Sequence, residues 1–132
     1  MKRQSSFVPY GIDNITGAMC QNCGNKFMVL VLGDVFNFVL KNVTQQPFTK
    51  ELTFNMKNIV CAGTLDLGSL KGNLTLAHDR EVIMIHCHDG VLRLAIFVST
   101  ANSVFLDIHD EEIAKRVLAF FIKYFPDCSS KN

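Results

Sequence analysis

The sequence predicts a domain of the α+β class, mostly β, with about seven antiparallel strands in a sandwich or barrel closed by one C-terminal helix. Three observations predict it. Apolar residues alternate with period 2 from Lys26 onward. The dipeptides Gly33-Asp34 and Asp89-Gly90 sit between alternating runs. A period of 3.6 emerges only after Asp110. The 132 residues are one domain's worth of chain. With 48% hydrophobic and 19% charged residues, the chain has apolar material for a real core and too few charges for disorder. A formal net charge of +1 argues against a protein that coats nucleic acid or an anionic membrane.

Residues 1–25 are polar, punctuated by Pro9, Gly11, Gly17 and Gly24, and read as a flexible N-terminal arm. The domain then spans 26–126, with 127–132 as a short tail. Phe27, Val29 and Val31 alternate with Met28, Leu30 and Leu32 before Gly33-Asp34, where glycine at the first central position suits a type II′ hairpin turn. Phe36, Phe38 and Leu40 then share a face with Phe27, Val29 and Val31. A buried helix could carry the same residues, but β-branched and aromatic enrichment favours strands. Lys50 to Lys57 alternates with Leu52, Phe54 and Met56 on one side. Ile59 to Leu67 continues as strand with a break expected at Ala62-Gly63. Gly68 to Gly72 is a turn cluster, and Leu74 and Leu76 belong to a short strand ending at His78-Asp79-Arg80.

Val82–His88, Asp89-Gly90 and Val91–Ser99 form the clearest hairpin, with a type I′ turn and partners 88 with 91, 86 with 93 and 84 with 95. Ile83, Ile85, Cys87, Leu92, Leu94, Ile96 and Val98 then face the core, while Met84, His86, His88, Arg93 and Phe97 face away. After Thr100-Ala101-Asn102 a strand over Ser103–His109 sends Val104, Leu106 and Ile108 inward and Phe105, Asp107 and His109 outward. Asp110 is a good N-cap, Glu111 and Glu112 suit the positive end of the helix dipole, and Pro126 follows the last turn. Ile113, Val117, Phe120, Phe121 and Tyr124 make the expected buried stripe; Leu118, Ile122 and Phe125 widen it beyond what one sheet contact needs.

This order of elements over about residues 26–125 resembles the pleckstrin-homology superfold, most closely in Leu92–Phe97, Val104–Leu106 and the helix after Glu111. PH-like interaction domains of nuclear complexes end similarly. Roadblock and longin folds need a helix between strands, and no helical period precedes residue 110. Phosphoinositide binding by such domains needs cations around the first hairpin loop. Here that loop is Gly33-Asp34, with Lys26 and Lys41 at the far strand ends, so the resemblance in fold does not bring membrane lipid as a ligand.

No secretory pattern develops before Pro9 and Gly11, and Phe27–Leu40 is interrupted well short of the ~20 apolar residues that span a bilayer. Five cysteines in irregular spacing fit a reducing interior, so the expected location is cytoplasmic or nuclear. The N-x-S/T triplets at Asn14, Asn42 and Asn73 carry no weight without a signal peptide. Cys20 and Cys23 have the spacing of half a zinc site, which Cys61, His86, Cys87 or His88 would have to complete. Zinc is the only cofactor this suggests. The run His86-Cys87-His88 does not make a thiolate–imidazole pair, because strand period points Cys87 the other way. No nucleophile elbow, phosphate loop or paired-carboxylate motif appears, so an enzyme is not expected.

What remains is surplus apolar surface. Met84, Phe97, Phe105, Leu118, Ile122 and Phe125, rimmed by His86, His88, Arg93, Asp107 and His109, are expected to hold a protein partner or a second copy of the chain. The expected function is a non-catalytic scaffold or adaptor module of a larger complex; a zinc-stabilised module or a nucleic-acid-binding subunit is the alternative.

Overall fold

The computed structural model describes residues 7–20, 22–43, 48–97, 103–126 and 128. The first sheet is a meander of β1 (Phe7–Ile12), β2 (Ile15–Cys20), β3 (Lys26–Leu32), β4 (Val35–Asn42) and β5 (Phe48–Asn55). A 3-10 turn at Met56–Asn58 leads to the second meander: β6 (Val60–Asp66), β7 (Lys71–His78), β8 (Glu81–His88), β9 (Val91–Phe97) and β10 (Ser103–Ile108). Helix α1 (Glu111–Tyr124) ends the order. All pairings are antiparallel between sequence neighbours, the usual economy of short connections. The mostly β, α+β class holds. Ten described strands in two open five-stranded sheets replace the expected seven in a closed arrangement.

Three differences separate these strands from the expected ones, and the first of them supplies strands the sequence reading lacks. The first is the stretch expected as a flexible arm: within residues 1–25, Phe7–Ile12 pairs with Ile15–Cys20, and β2 pairs with β3. Pro9 falls in β1, an edge strand, where its missing N–H is tolerated. Ala18 and Cys20 reach the core, so this hairpin is part of the sheet. Second, β6 runs through the expected break. Gly63 has φ +111°, and a Cβ there would collide with the carbonyl oxygen of Asn73 on β7. Glycine here permits close strand approach rather than ending the strand. Third, β7 is a full eight-residue strand.

The hairpin turns follow their sequence signals. Gly33 has φ +60° between Leu32 and its partner Val35, while Asp89 and Gly90 both have positive φ. The register of β8 and β9 is 88 with 91, 86 with 93 and 84 with 95, as the turn requires. Val98 and the turn at 100–102 lie outside the described residues.

The core fills the space between the sheets and under the helix. Phe27, Val29, Val31, Phe36, Phe38, Leu40, Leu52 and Phe54 face it from the first sheet. Leu74, Leu76, Ile83, Ile85, Leu92, Leu94 and Ile96 face it from the second. Phe36 sits at the junction, its ring 5.7–6.3 Å from those of Phe38, Phe54, Phe121 and Phe125. Asp110 caps α1, its carboxylate accepting from the N–H groups of Glu112 (2.9 Å) and Ile113 (3.2 Å). The helix touches β2 of one sheet and β6 and β9 of the other. It therefore buries a stripe wide enough for two surfaces, which includes Leu118 and Phe125.

Candidate functional site

The outer face of the second sheet is set by register. Side chains alternate along β8, β9 and β10, so Ile83, Ile85, Leu92, Leu94, Leu106 and Ile108 go inward and their neighbours outward, where the small Ala95 is itself buried. Cross-strand pairing then builds two rows. Met84, Ala95 and Phe105 form one; His86, Arg93 and Asp107 form the next. Phe97 follows Ala95 on the same face, opposite Val82 and Ser103. Five expected contact residues, Met84, His86, Arg93, Phe97 and Phe105, are thus brought together.

The geometry is ordered around Arg93. Its guanidinium donates to both carboxylate oxygens of Asp107, at 2.7 and 2.9 Å, and lies 4.1 Å from the centre of the Phe105 ring. The bond to Asp107 holds the guanidinium's pKa above its ordinary value. A paired, stacked arginine next to an aromatic ring that is 45% exposed presents a flat, rigid, amphipathic surface. His86 is half-buried and His88 exposed, with His88 3.2 Å from Asp89.

The remaining expected contact residues lie elsewhere. Leu118 is fully buried and Phe125 nearly so, and Ile122 packs half-buried against the core cluster. An outward placement holds only for a helix that meets one sheet. Helix α1 meets two, and the surplus apolar stripe is core. The helix face left in water carries Lys115, Arg116 and Lys123.

The cysteines resolve into pairs. Cys20 pairs with Cys23, Cα atoms 5.5 Å apart, and Cys61 pairs with Cys128, 5.7 Å apart, both within disulfide reach. Cys61 is thereby held at the second sheet, joined to a tail residue, and does not complete a site at Cys20. Among the described residues no third His, Cys, Asp or Glu joins Cys20 and Cys23. With four of five cysteines paired, their number no longer speaks for a reducing compartment. Cys87 is the free one: buried, its thiol donates to the Leu70 carbonyl at 3.2 Å, and burial pushes its pKa up. It stays a protonated thiol at neutral pH, on the opposite face of β8 from His86 and His88.

Among the described residues, hollows include two that basic side chains border. One of about 310 Å³ lies between the β1–β2 turn and α1, beside Arg116 and Lys123; Lys123 and the Tyr124 hydroxyl both donate to the Asp13 carbonyl there. The other, about 280 Å³, lies at Lys71, His88, Asp89 and Glu111. Near the Gly33-Asp34 loop, Lys57 sits 3.6 Å from the Asp34 carboxylate. No helix among the described residues is long and apolar enough to cross a membrane.

A second apolar surface was missed. Outward positions of the first sheet carry Val8, Ile12, Met19, Leu32 and Val35, all exposed, with half-buried Ile15, Met28, Leu30 and Val39 between them. The signal was in the sequence. Phe27–Leu32 is apolar at every position, so a strand there must show an apolar residue on both faces. No known protein family, curated protein or solved structure matches the chain.

Proposed function

We propose that this protein is a non-catalytic interaction module, a scaffold or adaptor subunit of a larger complex, which binds a protein partner through the outer face of β8, β9 and β10. One observation carries the reading. The core is complete without Met84, Phe97 and Phe105, yet these stand on one face beside an arginine that is already oriented. Methionine, aromatic residues and arginine are the types enriched where protein surfaces meet. Arginine held by its own carboxylate loses little further side-chain freedom on binding. The order of elements, antiparallel strands followed by one helix, supports a PH-like relationship as part of the same proposal.

The experiment compares the tagged chain with its Phe105→Asp variant, both expressed in cells and sized under native conditions. The wild-type chain is expected to run in an assembly larger than the purified protein, and the variant to run as free chain. A loss of about 2 kcal/mol or more at a central aromatic contact corresponds to roughly 30-fold weaker binding. The variant's own stability should fall by less than about 1 kcal/mol, since residue 105 is outside the core. Identical elution of the two would contradict the assignment of this face.

A further inference from the structure

We propose that the Cys20–Cys23 bridge is a redox-active site that exchanges with a dithiol, with Cys23 as the sulfur attacked and Cys20 as the sulfur released. The site lies at the turn between β2 and β3. It goes beyond the interaction reading above and does not depend on it.

Three observations converge there. The first is how little the bridge fastens. Cys20 and Cys23 are three residues apart, across a turn that the backbone already closes. The Cys20 N–H donates to the Asn25 carbonyl at 2.7 Å, and the Gly24 N–H donates to the Cys20 carbonyl at 3.0 Å. The Asn25 side chain accepts from the Val43 N–H at 3.0 Å, which ties the turn to the residue after β4. A bridge across so short a span adds less to the fold than the Cys61–Cys128 bridge, whose cysteines are 67 residues apart. By thermodynamic linkage, whatever a disulfide adds to the stability of the fold is given up when it is reduced in the folded chain. The bridge that adds least is therefore the one a dithiol opens first.

The second observation is access. Cys20 is 4% exposed on the core side of β2, whereas Cys23 is half-buried in the turn. Exchange begins with a thiolate reaching one sulfur of the bridge, so access assigns the attack to Cys23. The third is a donor at the other sulfur. The Cys23 N–H points to the Cys20 Sγ at 3.2 Å. A backbone N–H in that position stabilises negative charge as it develops on the leaving sulfur.

One thiolate of the dithiol attacks the Cys23 Sγ and forms a mixed disulfide. The Cys20–Cys23 bond breaks, and its electron pair goes to Cys20. The second thiol of the dithiol loses its proton to water and attacks its own partner sulfur in the mixed disulfide, so that Cys23 leaves as a thiolate. The dithiol is oxidised to a disulfide, the chain's cysteine pair is reduced, and water returns the two protons to Cys20 and Cys23.

The test mixes the oxidised full chain with dithiothreitol, traps free thiols with N-ethylmaleimide at intervals, and maps them by mass spectrometry. Cys20 and Cys23 should become labelled at least about tenfold faster than Cys61 and Cys128. Circular dichroism should stay that of the folded chain, and glutathione disulfide should restore the bridge. A parallel run with a reduced Cys-Ala-Ala-Cys peptide separates a polypeptide dithiol from a small one: opening by either supports the proposal, and the faster names the source. Opening of both bridges together, earlier opening of Cys61–Cys128, or opening only as the chain unfolds would overturn it. The roles of the two sulfurs are read from single variants exposed to glutathione disulfide. Cys23 in Cys20→Ala should be modified at least about tenfold faster than Cys20 in Cys23→Ala, and equal or reversed rates would overturn the assignment. If Cys20→Ala fails to fold, the mixed disulfide first formed between wild type and reduced glutathione decides: glutathione on Cys23 supports the assignment, and glutathione on Cys20 overturns it.

Discussion

Phe36→Ala is expected to cost about 3–5 kcal/mol of unfolding free energy, the range for removing a large aromatic side chain from a packed core. Chemical denaturation followed by circular dichroism would measure it. The size follows from where the ring sits. Phe36 is fully buried, and it contacts rings from its own strand, from β5, from α1 and from Phe125 just past the helix end. These groups come from β4, β5, α1 and the residue just after it, so the neighbours are held by separate elements and have little freedom to collapse into the space left behind. The loss should be mainly in midpoint rather than slope, because the surface exposed on unfolding hardly changes.

Removing the Cys61–Cys128 bridge is the second large effect. Cysteines 67 residues apart in sequence close a long loop, and the chain-entropy relation gives about 4 kcal/mol at 25 °C. The Cys61→Ala/Cys128→Ala protein should therefore melt more than about 10 °C below oxidised wild type. The same relation gives the Cys20–Cys23 bridge, only three residues apart, less than half as much. Calorimetry of the two double variants, with dithiothreitol-treated wild type beside them, would rank the bridges. A larger loss from the Cys20/Cys23 pair would contradict this account. The physical role of the long bridge is to pin the end of α1, through buried Cys128, to β6.

The local geometry was readable wherever chemistry is local. Asp89-Gly90 specified its turn and so the register of β8 and β9, and through the register the composition of both faces of that hairpin. Asp110 specified where α1 begins. What stayed hidden depends on neighbours distant in sequence. Pro9, Gly11 and Gly17 look like loop punctuation, yet Pro9 is acceptable once β1 is known to be an edge strand, and Gly17 once Met28 is known to lie beside it. Leu118 and Phe125 looked like surface because periodicity counts apolar positions on a helix but not how many layers it touches. The first sheet's outer face is hidden for a related reason: the aromatic residues of Phe27–Leu40 are core, and only the strand pairing shows that Met28, Leu30 and Leu32 between them share an outward face with their neighbours.

The surplus of apolar residues thus divides in a way composition cannot show. The helix surplus is core, whereas the surplus at Met84, Phe97 and Phe105 lies on a sheet face. The claim that this face is the partner surface is tested most directly by hydroxyl-radical footprinting of the assembly taken from cells against the purified chain. Met84 and Phe105 should both lose most of their oxidation in the assembly, while Leu67, exposed in the turn before β7, reacts equally in both. Unchanged oxidation at Met84 and Phe105, with protection elsewhere, would contradict it.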